Sequence, residues 1–221
     1  DCPWSLDLDY TIWYGCGSEK AIEYQNQYAF CPRGVDHYVW GPHYTDGYWG
    51  QTYKDAARIE QDFTILTRPP ITAWRCRPDT EKMGEQAGWQ AGGFDDSGWT
   101  KLDISHDTWA DLGIPNYFGT LWYRSTVKLP ALAPGKKVYL WVSNFDTLCK
   151  LFVNGQPVKY VDDKGEAQDE ANCYSVPFSY DVTAAVKPGA DNLIVIKGTR
   201  PYLNELGTGG LQGPVILYQE K

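Results

Sequence analysis

From about residue 119 onward, apolar and polar positions alternate in short runs. Leu121, Tyr123, Ser125 and Val127 fall on one side of a strand, and Trp122, Arg124, Thr126 and Lys128 on the other. Pro130 and Pro134-Gly135 stop this run. Val138, Leu140 and Val142 then alternate with Tyr139 and Trp141. Cys149, Leu151 and Val153 lead into Asn154-Gly155, a dipeptide that tolerates positive φ and so signals a two-residue hairpin. Val176 to Val182, Leu193 to Ile196 and Val215-Ile216-Leu217 read as further strands, with Pro188-Gly189 and the glycines at 207, 209, 210 and 213 as turns. Pro78 to Gly93 is polar and glycine-rich and reads as a loop, and Asp162 to Glu170 as an acidic, solvated one. Short strands separated by regular turn signals predict an all-β, antiparallel sandwich.

Residues 1–70 follow a different pattern. Their many Trp and Tyr residues, from Trp4 to Tyr53, are interrupted by Gly15, Gly17, Gly34, Gly41, Gly47 and Gly50, which prevents long helices. Tyr10 to Tyr14 and Tyr28 to Phe30 read as strands or irregular loops, and Ala56 to Phe63 as a turn of helix or a strand. Phe63 to Thr67 reads as a strand, since Phe, Thr and Ile suit pleated surfaces. Arg68-Pro69-Pro70 is the expected boundary, because two prolines remove donors and impose extended geometry. The division is therefore 1–70, an aromatic, disulfide-linked, largely irregular segment that packs on the sandwich or else is the remainder of a larger neighbouring domain, and 71–221, the sandwich itself. The first segment has too few aliphatic residues for its own core.

From about Trp74, five stretches occur in a familiar order: Phe94 to Trp99, Gly119 to Arg124, Phe152-Val153-Asn154-Gly155, Tyr180-Asp181-Val182-Thr183, and Gly210 to Leu217. In these the chain resembles the galactose-binding-like jelly-roll domain of β-galactosidase and β-glucuronidase type glycoside hydrolases, also found as free carbohydrate-binding modules. The resemblance covers about two thirds of the chain and leaves out residues 1–70. It implies a jelly-roll sandwich that binds and positions sugar while catalysis resides in another domain of the same parent chain.

Composition narrows the partners. A net charge of −8 over 221 residues repels phosphate backbones and excludes nucleic acid as the expected ligand. No stretch approaches the roughly 18 apolar residues of a membrane helix, so no membrane partner is expected. Ten Trp and sixteen Tyr suit both sandwich cores and stacking on sugar rings. The six cysteines form no Cys-x-x-Cys pair of the zinc type, so disulfides are expected, which implies a secreted or periplasmic location; six reduced buried thiols are the alternative. The chain opens on Asp1, without Met or signal peptide, as a mature form or an excised piece would.

Candidate chemistry is sparse. His37 and His43 flank Gly41-Pro42, which precludes a helical metal-binding register. Glu19 with Glu23, or Glu60 with Asp62, are conceivable glycosidic acid pairs, but nothing marks them out. Asp95-Asp96 reads as a turn former. No catalytic residue is assigned. A hydrolase or lyase site built partly by residues 1–70 is one alternative function, and a ligand-free domain that orients its neighbours is another.

The resemblance implies a site for oligo- or polysaccharide at the loop tips or on a sheet face. At the tips the candidates are Trp109 and Tyr117, before one strand, and Arg200, Tyr202, Asn204 and Glu205, before the glycine-rich turn. A Trp109 ring would stack on the sugar while Arg200, Asn204 and Glu205 bond its hydroxyls. On the sheet face Trp122, Arg124 and Trp141 compete, but packing against the N-terminal segment is the preferred reading for them. The fold would set Cys149 beside Cys173 as a bridge across the acidic loop, leaving Cys2, Cys16, Cys31 and Cys76 to pair among themselves. A structural calcium is a further expectation; Asp162, Asp163, Glu166, Asp169 and Glu170 are the densest acidic loop, but they lack the Asp-x-Asp-x-Asp-Gly spacing.

Overall fold

The computed structural model describes residues 63–104, 107–114, 117–142, 145–146, 148–162, 164–172, 178–201, 210–211 and 215–221. Among these there is no helix. The strands are β1 (Phe63–Ile65), β2 (Ala73–Pro78), β3 (Thr100–Asp103), β4 (Gly119–Lys128), β5 (Val138–Val142), β6 (Phe145–Asp146), β7 (Leu148–Val153), β8 (Gln156–Val158), β9 (Tyr160–Val161), β10 (Ala167–Gln168), β11 (Ala171–Asn172), β12 (Phe178–Asp181), β13 (Asp191–Arg200), β14 (Gly210–Leu211) and β15 (Val215–Glu220).

They form an antiparallel jelly-roll sandwich. One sheet has the order β1-β15-β5-β12; the other has seven strands in the order β11-β7-β13-β4-β2-β3, with β8 paired to β7. The long central strands carry the alternation read from the sequence. Leu121 and Tyr123 of β4 and Ile194 and Ile196 of β13 face inward and meet Leu140, Val142, Val215 and Leu217 of the opposite sheet in one buried core. Full burial of each such aliphatic side chain stabilises by about 1.5–3 kcal/mol, which is how ten-residue strands come to anchor the fold.

Turn chemistry fixes the register. Asn154 and Gly155 both have positive φ, 53° and 85°, as the tight β7–β8 hairpin requires. The Asn154 side chain does more than turn: its amide donates to Ala185 O and to Asn192 Oδ1, and its Oδ1 accepts from Leu193 N. Asn192 is fully buried and satisfied by Lys187 and Ala190. In the Tyr180-to-Thr183 stretch, Asp181 Oδ1 accepts from the Thr183 hydroxyl at 2.6 Å, and Thr183 Oγ1 in turn accepts from Val138 N. These two short-range motifs therefore lock the ends of β7 and β12 onto distant strands.

Two expectations about element placement change. β1 pairs with the last strand, Ile71 bridges to Val215, and the Thr67 hydroxyl accepts from Leu217 N, so the sandwich takes in residues 63–70, short of the proline boundary expected at 70. Two prolines end a strand without ending a domain when the chain rejoins the same sheet beyond them. The acidic stretch after Tyr160 is exposed, as expected, but it forms a β9–β10 hairpin whose turn Asp162 closes by accepting from Lys164 N and Glu166 N.

Candidate functional site

The outer face of the seven-stranded sheet carries rows of cationic and aromatic side chains, and residues 79–99 fold over half of it. Asp79 anchors the start of this cover. It is buried, accepts from Met83 N and Gly84 N, and takes a further bond from Trp122 Nε1 at 3.0 Å. Gly84 is there because nothing larger fits: an added Cβ would lie 2.6 Å from Trp122 Nε1. Glu85 then reaches Lys197 at 2.8 Å and Lys150 at 3.0 Å. Partial burial works to raise the Glu85 pKa, but the combined bonds and charges of Lys197 and Lys150 outweigh it and hold the carboxyl below its ordinary range.

The Phe94-to-Trp99 stretch closes the cover. Asp95 Oδ1 accepts from Ser97 N, forming the turn; Asp96 reaches down to Arg124 Nε at 2.7 Å. Arg124 is 3% exposed. Its other donors end on the carbonyls of Trp89, Ala91 and Phe94, and its guanidinium lies 5.5 Å from the Phe94 ring. Trp89 packs edge-on against both Trp99 and Trp122, and Trp122 stacks on Phe152. The Phe94-to-Trp99 turn and the outward-facing Trp122 and Arg124 are thus two halves of one clamp. Trp122 and Arg124 are buried as expected, but residues 79–99 cover them, where the N-terminal segment was expected to. Residues 1–62 lie outside the described part of the chain. Trp141 of the opposite sheet is 1% exposed.

At one end of the sandwich three of the expected loop-tip residues, Trp109, Tyr117 and Arg200, lie near one another, with Gly119 at the start of β4 paired with Arg200 at the end of β13. Their environment is not the one expected. Trp109 is 1% exposed, donates from Nε1 to the Tyr123 hydroxyl at 2.5 Å and packs on Tyr117. Gly210 has φ 84°, and an added Cβ there would sit 2.2 Å from both Trp109 Nε1 and Tyr123 Oη. Trp109 is therefore a core ring with no free face for a sugar. Burial pushes the Tyr123 phenol well up, so it stays neutral in this network. Tyr117 is half-buried and its hydroxyl donates to Thr120 O. Arg200 is 4% exposed, with its guanidinium 4.6 Å from the Phe118 ring. Tyr202, Asn204 and Glu205 lie outside the described residues.

Beside the clamp the same outer face is not covered by any described residue. A cleft of about 560 Å³ runs over β3, β2 and β4, lined by Arg75, Asp96, Lys101, Asp103, Arg124 and Thr126 among others. Nothing in the sequence pattern marks it, since its groups come from three strands and one turn. The register places Lys101, Arg75 and Arg124 in a single row across three strands. Arg75 Nε lies 3.5 Å from Asp96, and its Nη1 donates to Ser97 O.

Cys76 is a free thiol inside the core, 1% exposed, and burial raises its pKa well above the ordinary value. Cys149 is fully buried in β7, with Ala171 directly opposite it. Cys2, Cys16, Cys31 and Cys173 lie outside the described residues, as do His37, His43, His106 and Asp163. Among the described residues no group of three or more His, Cys, Asp or Glu could hold a metal ion.

No protein-family model matches the chain. It is 28% identical to a β-glucuronidase of Formosa agariphila over 116 residues, which is 47% of this chain and 11% of that protein. It is 25% identical to a β-glucuronidase of Paenibacillus borealis over 124 residues, 56% of this chain and 19% of that protein. The chain thus spans between about a tenth and a fifth of the curated relatives it matches. Among solved structures, a β-glucuronidase from glycoside hydrolase family 2 superposes with a TM-score of 0.54 at 19% identity, over 72% of this chain and 18% of that one. The Ruminococcus gnavus β-glucuronidase superposes with a TM-score of 0.52 at 17% identity, over 72% of this chain and 29% of that one. The fold is the jelly-roll sandwich read from the sequence motifs, and over that part the chain is similar to one region of these β-glucuronidases.

Proposed function

We propose that this chain is a non-catalytic, carbohydrate-binding part of a larger secreted or periplasmic enzyme that acts on glycosides. The observation that carries the reading is the extent of the likeness: it takes in 72% of this chain but only 18% and 29% of two solved β-glucuronidases, the share of one domain among several. In enzymes of that type the jelly roll holds sugar beside a separate catalytic domain, and the names of the relatives point to a uronic acid glycoside as the parent's substrate class. Oxidising export fits the even cysteine count and the register that brings Ala171 opposite Cys149, two residues before Cys173 in sequence. Peptide mapping without reduction should recover Cys149 linked to Cys173; recovery of Cys149 as a free thiol removes that support. A structural calcium, also expected from the resemblance, would show as a fall in Tm on adding EDTA.

The deciding experiment is incubation of the chain with a panel of plant and algal polysaccharides. Retention without product is expected. Product formation would make the chain a hydrolase or lyase with a site drawing on residues 1–70. Neither retention nor product would leave a ligand-free domain that orients its neighbours, and one observation favours that second reading: among the described residues the large hydrophobics left exposed are Met83 and Val161, so no aromatic platform faces solvent.

A further inference from the structure

We infer that the open cleft over β3, β2 and β4 binds an acidic saccharide, one bearing a carboxylate or a sulfate ester; this rests on the carbohydrate-binding reading above. The cleft's volume, about 560 Å³, lies within the range of small-ligand sites. What selects the ligand class is the cationic row at one end of the cleft, since the acids other than Asp96 that line it, Asp103 and Asp107, lie at the other end. Lys101, Arg75 and Arg124 stand side by side on adjacent strands, about 5 Å apart by strand spacing. Asp96 answers two of them, at 2.7 Å to Arg124 and 3.5 Å to Arg75. Asp95 is taken up by its own turn with Ser97.

Arg124 is 3% exposed, and four of its five N–H donors already end on Asp96 and on three carbonyls under the clamp. Arg75 keeps Nη2, and Lys101 is exposed, with no ion-pair partner among the described residues. Arg77, one row along β2, is also exposed and lies over the Trp89 ring, adding to the positive edge. At the far end of the cleft Asp107 Oδ2 accepts from the backbone N–H of Asp103, and the two carboxylates make that end acidic. Thr126 lies one row on from Arg124 along β4, in the row of Ala73 and Asp103. An ammonium beside half of a guanidinium fork is the donor set that matches a carboxylate or sulfate group. The hydroxyls and carboxylates further along suit the sugar to which that group is attached. The chain's net charge of −8 opposes acidic ligands at long range, but screening over about 8 Å at physiological salt leaves recognition to these near neighbours.

The test is calorimetric titration of the whole chain with four probes: an oligogalacturonate, the same oligosaccharide with its carboxyls reduced, a sulfated galactan oligomer, and its desulfated form. At least one acidic probe should bind about tenfold or more tightly than its neutral counterpart, the effect of one charge-assisted contact. Whichever acidic probe is preferred identifies the anionic group. Lys101→Gln should weaken that probe about five- to tenfold without moving the thermal transition, and Lys101→Gln with Arg75→Gln should bring it to the level of the neutral form. If acidic and neutral forms bind alike and Lys101→Gln changes nothing, the inference is overturned while carbohydrate binding stands. If no probe binds and no polysaccharide of the wider panel is retained, the functional reading itself falls.

Discussion

Arg124 and Lys101 stand in the same row of the same sheet face, two strands apart, yet one is sealed and the other open. Over Arg124 the turn-rich cover supplies an acid, three carbonyls and two rings, and the guanidinium is 3% exposed. Over Lys101 no described residue supplies a partner, and the same row becomes the floor of a cleft. The difference teaches that an aromatic, arginine-rich stretch describes how a sheet is covered before it describes what the sheet binds. Recognition falls to the side chains whose donors the fold has left unused.

The comparison predicts that substitutions on the covered half act on stability and those on the open half do not. The largest effect is expected for Trp122→Ala, which empties the centre of the Trp89, Trp99 and Phe152 cluster and should cost about 3–5 kcal/mol in urea denaturation. Arg124→Ala follows at about 3 kcal/mol, because Asp96 and buried carbonyls lose their partner; equal stability of this variant and wild type would mean that the cover is held by its rings alone. Gly84→Ala should cost about 1–3 kcal/mol by pressing a methyl against Trp122 and Asp79. The smallest effect concerns pH. Glu85 has a folded pKa below its ordinary 4.5, so its contribution is complete above that pH and is lost as pH falls through the lower folded value. It is partly exposed, so the loss should be no more than about 1 kcal/mol, and Glu85→Gln should flatten the stability profile below about pH 4.5. Lys101→Gln, on the open half, should stay within about 0.5 kcal/mol of wild type.

The alternation of β4, β5 and β7 was legible because the face turned to the core carries mostly aliphatic residues while the other carries polar, charged or ring side chains, a period of two that survives even where β4 is buried on both faces. The clamp was half legible. Phe94 to Trp99 stood out as a turn, but Asp79, Glu85 and Trp89 did not, since residues 79–93 have no period and their partners on the sheet beneath lie 33 to 112 positions away. Trp109 misled for a related reason: a ring in a loop reads as exposed unless Tyr123 and Gly210 are known to close around it. The cleft was not legible at all, because strand order, rather than any local motif, brings Lys101 next to Arg75 and Arg75 next to Arg124.

The pairing of β1 with β15 has a mechanical consequence. Phe63 lies opposite Glu220 in an antiparallel pair, so the chain entering the sandwich and the chain leaving it pass through neighbouring points on one sheet. Tension applied between residues 63 and 220 would therefore peel β1 away one bond at a time, the weakest loading geometry for a ladder, and β1 is only three residues long. Pulled from those two points in an optical trap, the domain should yield first in a small, low-force step as β1 unzips, while the core between the two sheets holds. A single high-force rupture would show that β1 is carried by contacts other than this ladder.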